Sequence, residues 1–482
     1  MSLITFIKNL PIDLQYIVLN YYPMALFILT RPELAEYDWF QLNKMIFGSM
    51  YSREMCSDDE MIKVYIDNSL RNKSKIVCGG DHVYIRLVDG TLMSCGYNWF
   101  GQLGIGNNDS QHVFSEIKGI KKNIVEVICG ENHTIIRMTD GTLMSCGNNY
   151  SGQLGLGDYV CRNVFCEIEG ICGVVEVKCV GDYTIIRLTD GTLMGCGNNK
   201  KGHLGLGDNL RRNLFVEIKC VPKNIEEVIC QESHVIVRLT DGTLMGCGYN
   251  EFGQLGFEDN RTTNLFEEIV GIPKNIIEVI CGPYHTIIRL TDGTLMSCGF
   301  NRFGQLGLGD VKDRKFFSEI ASIDKNVVKI ICGYAYTIIR LANGSLMSVG
   351  NNMFGELGLG DSIHRNIFSE IKGIDKNISE MICSDINTIV RLTDGTLMVS
   401  GTNSDGQLGL GDFLMRNEYC ETKVIGKSIV EVINGTLFTI IRLNDGTLMS
   451  CGYNFHGQLG VGDKLNKSEF TLINGIPKML SG

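Results

Sequence analysis

Residues Ile124 to Ile171 read IVEVICGENHTIIRMTDGTLMSCGNNYSGQLGLGDYVCRNVFCEIEGI. Four short alternating or apolar runs, Ile124–Cys129, His133–Thr139, Thr142–Cys146 and Val164–Ile168, are separated by turn signals, which is the pattern of strands. Asp140-Gly141 joins the second run to the third. A two-residue hairpin of this kind needs positive φ, and glycine supplies it without a steric penalty. No 3.6-residue periodicity is present, and the glycine density opposes a helical repeat.

The same unit recurs along the chain. Its hairpin glycine returns at Gly90, Gly141, Gly191, Gly242, Gly293, Gly344, Gly395 and Gly446, at spacings of 51 or 50 residues. Four strands per unit of about 50 residues is the period of a β-propeller blade, so the fold class is all-β, a propeller of four-stranded blades of about 51 residues. Glycine also follows the hairpin glycine at six, eleven, fourteen and sixteen positions, with Glu258 the one departure; these sites hold 39 of the 57 glycines. Thirteen of the 19 cysteines fall at two repeat positions, represented by Cys95 and Cys78, and no C-x-x-C pair occurs. We expect reduced thiols that act as small packing groups in an intracellular, cytoplasmic or nuclear protein. The early apolar stretch Ile17–Leu29 is interrupted and too short to span a bilayer, so no membrane association is expected. With 44 basic and 54 acidic residues the net charge is -10, which opposes a general nucleic-acid-binding role.

The pattern CG-x-x-HT, DG and N-x-x-GQLGLGD resembles the repeat of the regulator of chromosome condensation family, over roughly Ser74 to Lys478. The resemblance implies a propeller and, among family functions, guanine-nucleotide exchange on a small GTPase or chromatin binding. This chain departs from the family pattern in two ways. The usual Trp of the third strand is Cys95, Cys146, Cys196, Cys247, Cys298 and Cys451 in six units, with Val349 and Ser400 in the others. The His before Thr is kept at His82, His133, His234 and His285, but is Tyr183, Tyr336, Asn387 or Phe438 elsewhere. Such variation around a ring suits a structural role better than a chemical one. Eight strand sets favour eight blades over the family's usual seven. The last strand, within Glu469–Ile476, is expected to close the ring by pairing with the first three strands of the first unit.

Each unit places an arginine in its second strand: Arg86, Arg137, Arg187, Arg238, Arg289, Arg340, Arg391 and Arg442. We expect them to form a structural ladder with carboxylates of the first or fourth strand, such as Glu126 or Glu167, because an unpaired buried guanidinium is costly; an anion-binding ring is the alternative. A second set, Arg162, Arg212, Arg314, Arg365 and Arg416, follows an Asp four residues earlier in the GLGD loop, an arrangement that suits a local turn brace or a rim contact with a partner. No catalytic triad, phosphate loop or metal-spaced His/Cys set is found; the expectation is a protein without enzymatic activity, cofactor or metal.

Residues 1–72 lie outside the repeat and read as a small α-helical module, with Pro11, Pro23 and Pro32 at helix starts and a capping box from Ser57 to Glu60. The run that includes Leu10, Pro11, Leu14 and Ile17 resembles the opening of an F-box, the adaptor that docks on a ubiquitin-ligase scaffold subunit; a helical cap on the propeller is the other reading. The division expected is 1–72 and 74–478. The function expected is protein–protein interaction, with a substrate receptor of a ubiquitin ligase as its specific form and a guanine-nucleotide exchange factor or regulator of a small GTPase as the alternative. The even spacing leaves no blade with an inserted loop, and the first 73 residues hold 7 basic against 9 acidic side chains. Both facts count against the family's exchange and chromatin roles. The partner is then a protein, either a ligase scaffold or a small GTPase, and the chain is expected to be a monomer.

Overall fold

A computed structural model describes residues 75–87, 89–424 and 428–477. The helical module expected over 1–72, with Leu10, Pro11, Leu14 and Ile17, lies outside the described residues.

The described chain forms 32 strands in eight antiparallel sheets of four, each sheet taking its strands in sequence order. It is an eight-bladed propeller, with no helix among the described residues. The second blade is representative: Ile124–Cys129, His133–Met138, Leu143–Gly147 and Arg162–Glu167. Its second strand is almost wholly buried, whereas its fourth is mostly half-buried, with Val164 and Glu167 exposed. First strands of neighbouring blades touch, as Ile124–Cys129 touches Val174–Val180, so they lie nearest the axis. Each junction between blades holds one apolar cluster. Between the second and third blades, Ile135, Leu143 and Ile168 meet Val174, Val177 and Ile186.

The expected closure by strand exchange does not occur. Lys467–Leu472 pairs with Leu448–Gly452 of its own blade, and the first blade completes itself with Gln111–Glu116. The chain enters the ring on a first strand and leaves it on a fourth, so no blade is short of a strand and none has one to lend. The eighth and first blades join as every other pair does, through an apolar cluster that includes Phe438, Leu459, Val83 and Phe114.

A backbone latch repeats at all eight junctions. The residue sixteen after the hairpin glycine donates its N–H to a carbonyl in the fourth strand of the following blade, from Gly106 to Asn163 at 2.7 Å round to Gly462 to His112 at 2.8 Å. Glu258 makes the same bond to Lys315 at 2.9 Å, although its φ of 68° makes it the only non-glycine residue with positive φ among the described residues. The glycine two positions before the latch serves close approach: a Cβ on Gly155 would stand 2.5 Å from the ring of Phe215 and 3.4 Å from Cys196 Sγ of the next blade. This contact accounts for the small residue in the third strand, where the family pattern has Trp. Cys196 also donates to the Gln153 carbonyl at 3.5 Å, and Ser400 to the Gly355 carbonyl at 3.0 Å.

Candidate functional site

Antiparallel order places the connections between first and second strands, and those leaving third strands, on one face of the ring. The Asp-Gly hairpins lie on the other. Three sets of polar residues fix the blades, and two kinds of surface remain on the first face.

The second-strand arginines are held between blades. Arg137 pairs with Glu126 of its own first strand at 3.0 Å and reaches the Val174 carbonyl of the next blade at 3.4 Å. Arg187, Arg238, Arg289, Arg391 and Arg442 likewise meet the first-strand glutamate of their own blade, at 2.7 to 3.3 Å. Among the described residues these six arginines meet the first-strand glutamate and not the fourth-strand one. Arg86 donates to the Ile124 carbonyl at 2.7 Å, and Arg340 faces Lys329 across the strand pair, at a position that is Glu in six blades and Lys75 in the first.

The GLGD arginines are also engaged. Arg162, Arg212, Arg314, Arg365 and Arg416 each pair with the Asp four residues earlier at 2.5 or 2.6 Å. Each also donates to a carbonyl two residues back, as Arg162 does to Val160. The bonds from Arg212 and from the Leu210 amide hold the Asp208 carboxyl below its ordinary range.

The repeat histidines are buried between blades. His82, His133 and His285 place Nε2 3.0 to 3.2 Å from Thr134, Thr184 and Thr337 of the next blade. Burial pushes His133 and His285 down to about 4 and, with the charge of a neighbouring histidine, His82 to about 3. These rings are neutral at neutral pH and cannot touch a substrate. Among the described residues no group of three His, Cys, Asp or Glu side chains is placed to hold a metal.

What remains open is aromatic and acidic. In the fourth to sixth blades Tyr249, Phe252, Tyr284, Phe300, Phe303 and Tyr334 line a pocket of about 470 Å³. Their rings meet edge to face, Phe252 and Phe300 at 4.9 Å and Tyr284 and Tyr334 at 5.6 Å between centroids. The ammonium of Lys201 stands 4.6 Å from the Tyr249 ring centroid. Burial and contact with Tyr334 push the Tyr284 phenol up to about 12, and the nearby Glu232 charge adds to this, so the rings are neutral walls. A second aromatic cluster lies on the same face in the eighth, first and second blades, where Tyr97 meets His456 at 4.5 Å and Phe100 meets Tyr150 at 5.8 Å. Trp99 beside it is 72% exposed.

Asp81, Glu131, Asp182 and Glu232 belong to the connections between first and second strands of the first four blades. Burial raises the Glu131 carboxyl, and the charges of Asp182, Glu232 and Asp81 raise it further, which places the four acids in one field. Asp81 and Asp182 accept from Gln458 and Gln153 of the preceding blade at 3.0 and 2.9 Å. None of the four has an ion-pair partner among the described residues. The patch escaped motif reading because it is built where the repeats differ. Aligning the eight units shows Tyr249, Phe300, Tyr97 and Tyr453 where other blades carry Asn or Thr.

Residues 167–421, more than half of the chain, match the RCC1-like domain, and residues 124–153 and 89–136 match the regulator of chromosome condensation (RCC1) repeat. The chain belongs to the RCC1 repeat family. Its RCC1-like propeller is similar to the ultraviolet-B receptor UVR8 of Arabidopsis thaliana, 30% identical over 348 residues that cover 71% of this chain and 68% of the receptor. The probable E3 ubiquitin-protein ligase HERC4 of Homo sapiens is 34% identical over 336 residues, 65% of this chain. The X-linked retinitis pigmentosa GTPase regulator of Mus musculus is 33% identical over 349 residues, 60% of this chain. The match spans only 30% of the length of each of these two proteins. Among solved structures, yeast RCC1 (Prp20) bound to Kap60 shares the fold, with a TM-score of 0.56 at 17% identity over 77% of this chain and 90% of that one.

Proposed function

We propose that this RCC1-like propeller is a non-catalytic protein-interaction module, and that with its F-box-like segment it serves as the substrate receptor of a ubiquitin ligase. The observation that carries the interaction reading is the face just described. Clustered aromatics, half-buried in the pocket and exposed at Tyr334, Trp99 and Tyr150, beside carboxylates without ion-pair partners are characteristic of recognition surfaces, whereas the second-strand arginines and the repeat histidines are engaged within and between blades. The propeller over 74–478 would hold the target and the module over 1–72 would hold the scaffold through Leu10, Pro11, Leu14 and Ile17. Arg162, Arg212, Arg314, Arg365 and Arg416 stand at the outer edge of the same face as secondary contacts. All 18 cysteines among the described residues are free thiols, in keeping with an intracellular setting.

Regulation of a small GTPase is the second reading. It is favoured by the likeness to a protein named as a GTPase regulator. Purified full-length chain mixed with ubiquitin-ligase scaffold subunits separates the two. Retention on the scaffold that is lost in a Leu10→Ala, Pro11→Ala variant supports the receptor. No retention, together with accelerated GDP release from a small GTPase, supports the regulator.

A further inference from the structure

The aromatic pocket and the acidic arc are continuous. Ser233 lines the pocket, its neighbour Glu232 lies in the arc, and the Glu232 charge reaches the Tyr284 phenol. Aromatic faces attract cations through the ring quadrupole, and Arg and Lys are the side chains that exploit this. Two of the pocket's own rings already take cations from the chain, Tyr249 from Lys201 and Phe300 from Arg302 at 5.9 Å. An acidic partner segment would face Glu131, Asp182, Asp81 and Glu232. A purely apolar segment would leave these carboxylates uncompensated against it.

Resting on the interaction reading, we propose that this face takes a basic, extended segment of the partner protein. One arginine or lysine of that segment inserts among Tyr249, Tyr284 and Phe300, and the basic residues that follow run onto Glu232, Asp182, Glu131 and Asp81. The pocket volume of about 470 Å³ accommodates a long cationic side chain together with its flanking backbone. Lys201 yields its place over Tyr249 to the incoming cation. A single cation–π contact at a partly exposed site is worth about a fivefold change in affinity.

The probe is fluorescein-labelled hexa-arginine, titrated into the full chain at about 0.15 M salt and read by anisotropy, so that exposed charges beyond about 8 Å are screened. Saturable binding is expected. Tyr284→Asn with Phe300→Asn should weaken it at least about fivefold without a change in charge. These substitutions install the residues that the chain already carries at the equivalent positions, Asn132 and Asn351, so the blade is kept. Glu131→Gln with Glu232→Gln should weaken binding comparably, while Asp89→Asn with Asp190→Asn on the opposite face should leave it unchanged. The proposal is overturned by absence of saturable binding, by equal binding of the ring variant, by an equal effect of the opposite-face variant, or by tighter binding of hexa-glutamate. Loss of scaffold binding with peptide binding intact removes only the N-terminal assignment. Scaffold binding without peptide binding removes only the basic occupant.

Discussion

Acid should loosen the ring at its buried histidines, and one substitution isolates the effect. His133 is fully buried against Thr184 of the next blade and is held neutral down to about 4, against an ordinary value of 6.5. In the unfolded chain it protonates near 6.5. Between those values the unfolded state binds more protons, so stability is complete above pH 6.5 and falls as pH drops toward 4. At pH 5 the loss from this one ring is about 2 kcal/mol, 1.5 pH units at 1.36 kcal/mol each. Replacing it by tyrosine should remove that loss. The sixth blade shows how the replacement fits: Tyr336 occupies the equivalent position beside the equivalent glycine, Gly333, and donates to the Asn387 carbonyl at 2.8 Å. Chemical unfolding of the full chain and of His133→Tyr, each at pH 7 and pH 5, gives the comparison. The acid-induced loss should be about 2 kcal/mol smaller in the variant. Contributions from raised carboxyls such as Glu356, whose burial favours the neutral form, are common to both proteins and cancel. An identical loss in the two proteins would refute the assignment of acid sensitivity to the interblade histidine.

Three further outcomes follow from the blade junctions. Glu258→Gly relieves a positive φ at a non-glycine residue and should raise stability by roughly 0.5–1 kcal/mol, seen as a higher denaturation midpoint. Gly155→Ala would press a methyl group against Phe215 at 2.5 Å and should cost about 3 kcal/mol, whereas Gly170→Ala, at similar φ but with nothing within 4 Å, should cost about 1 kcal/mol. Lys329→Glu supplies the carboxylate missing opposite Arg340 and should stabilise by about 0.5 kcal/mol at low salt, with the gain fading at high salt.

The blades were legible because the repeat carries its own punctuation. The Asp-Gly hairpin and the loop glycines separate strands so sharply that the expected bounds of the second blade fall within two residues of the observed ones, as with Val164–Ile168 against Arg162–Glu167. Ring closure was misjudged because the first unit lacks a preceding fourth strand, which looks like a vacancy until one sees that every blade takes its fourth strand from downstream. A local pattern cannot show this phase; it is set by the pairing of Gln111–Glu116 with Leu92–Gly96. The carboxylate partners of the arginines were narrowed to two strands by composition and assigned to one only by register, Glu126 lying opposite Arg137. The aromatic pocket was least legible, since Tyr249 and Tyr334 are 85 positions apart and converge only because the ring curves.

The most direct test of the interaction reading places a photo-reactive benzoylphenylalanine at Phe300 in the pocket or at Phe316, which is 53% exposed on the outer strand. Partner adducts on irradiation in cells are expected from position 300 and not from 316. Adducts from 316 alone would move the binding surface from the aromatic face to the circumference and contradict the account.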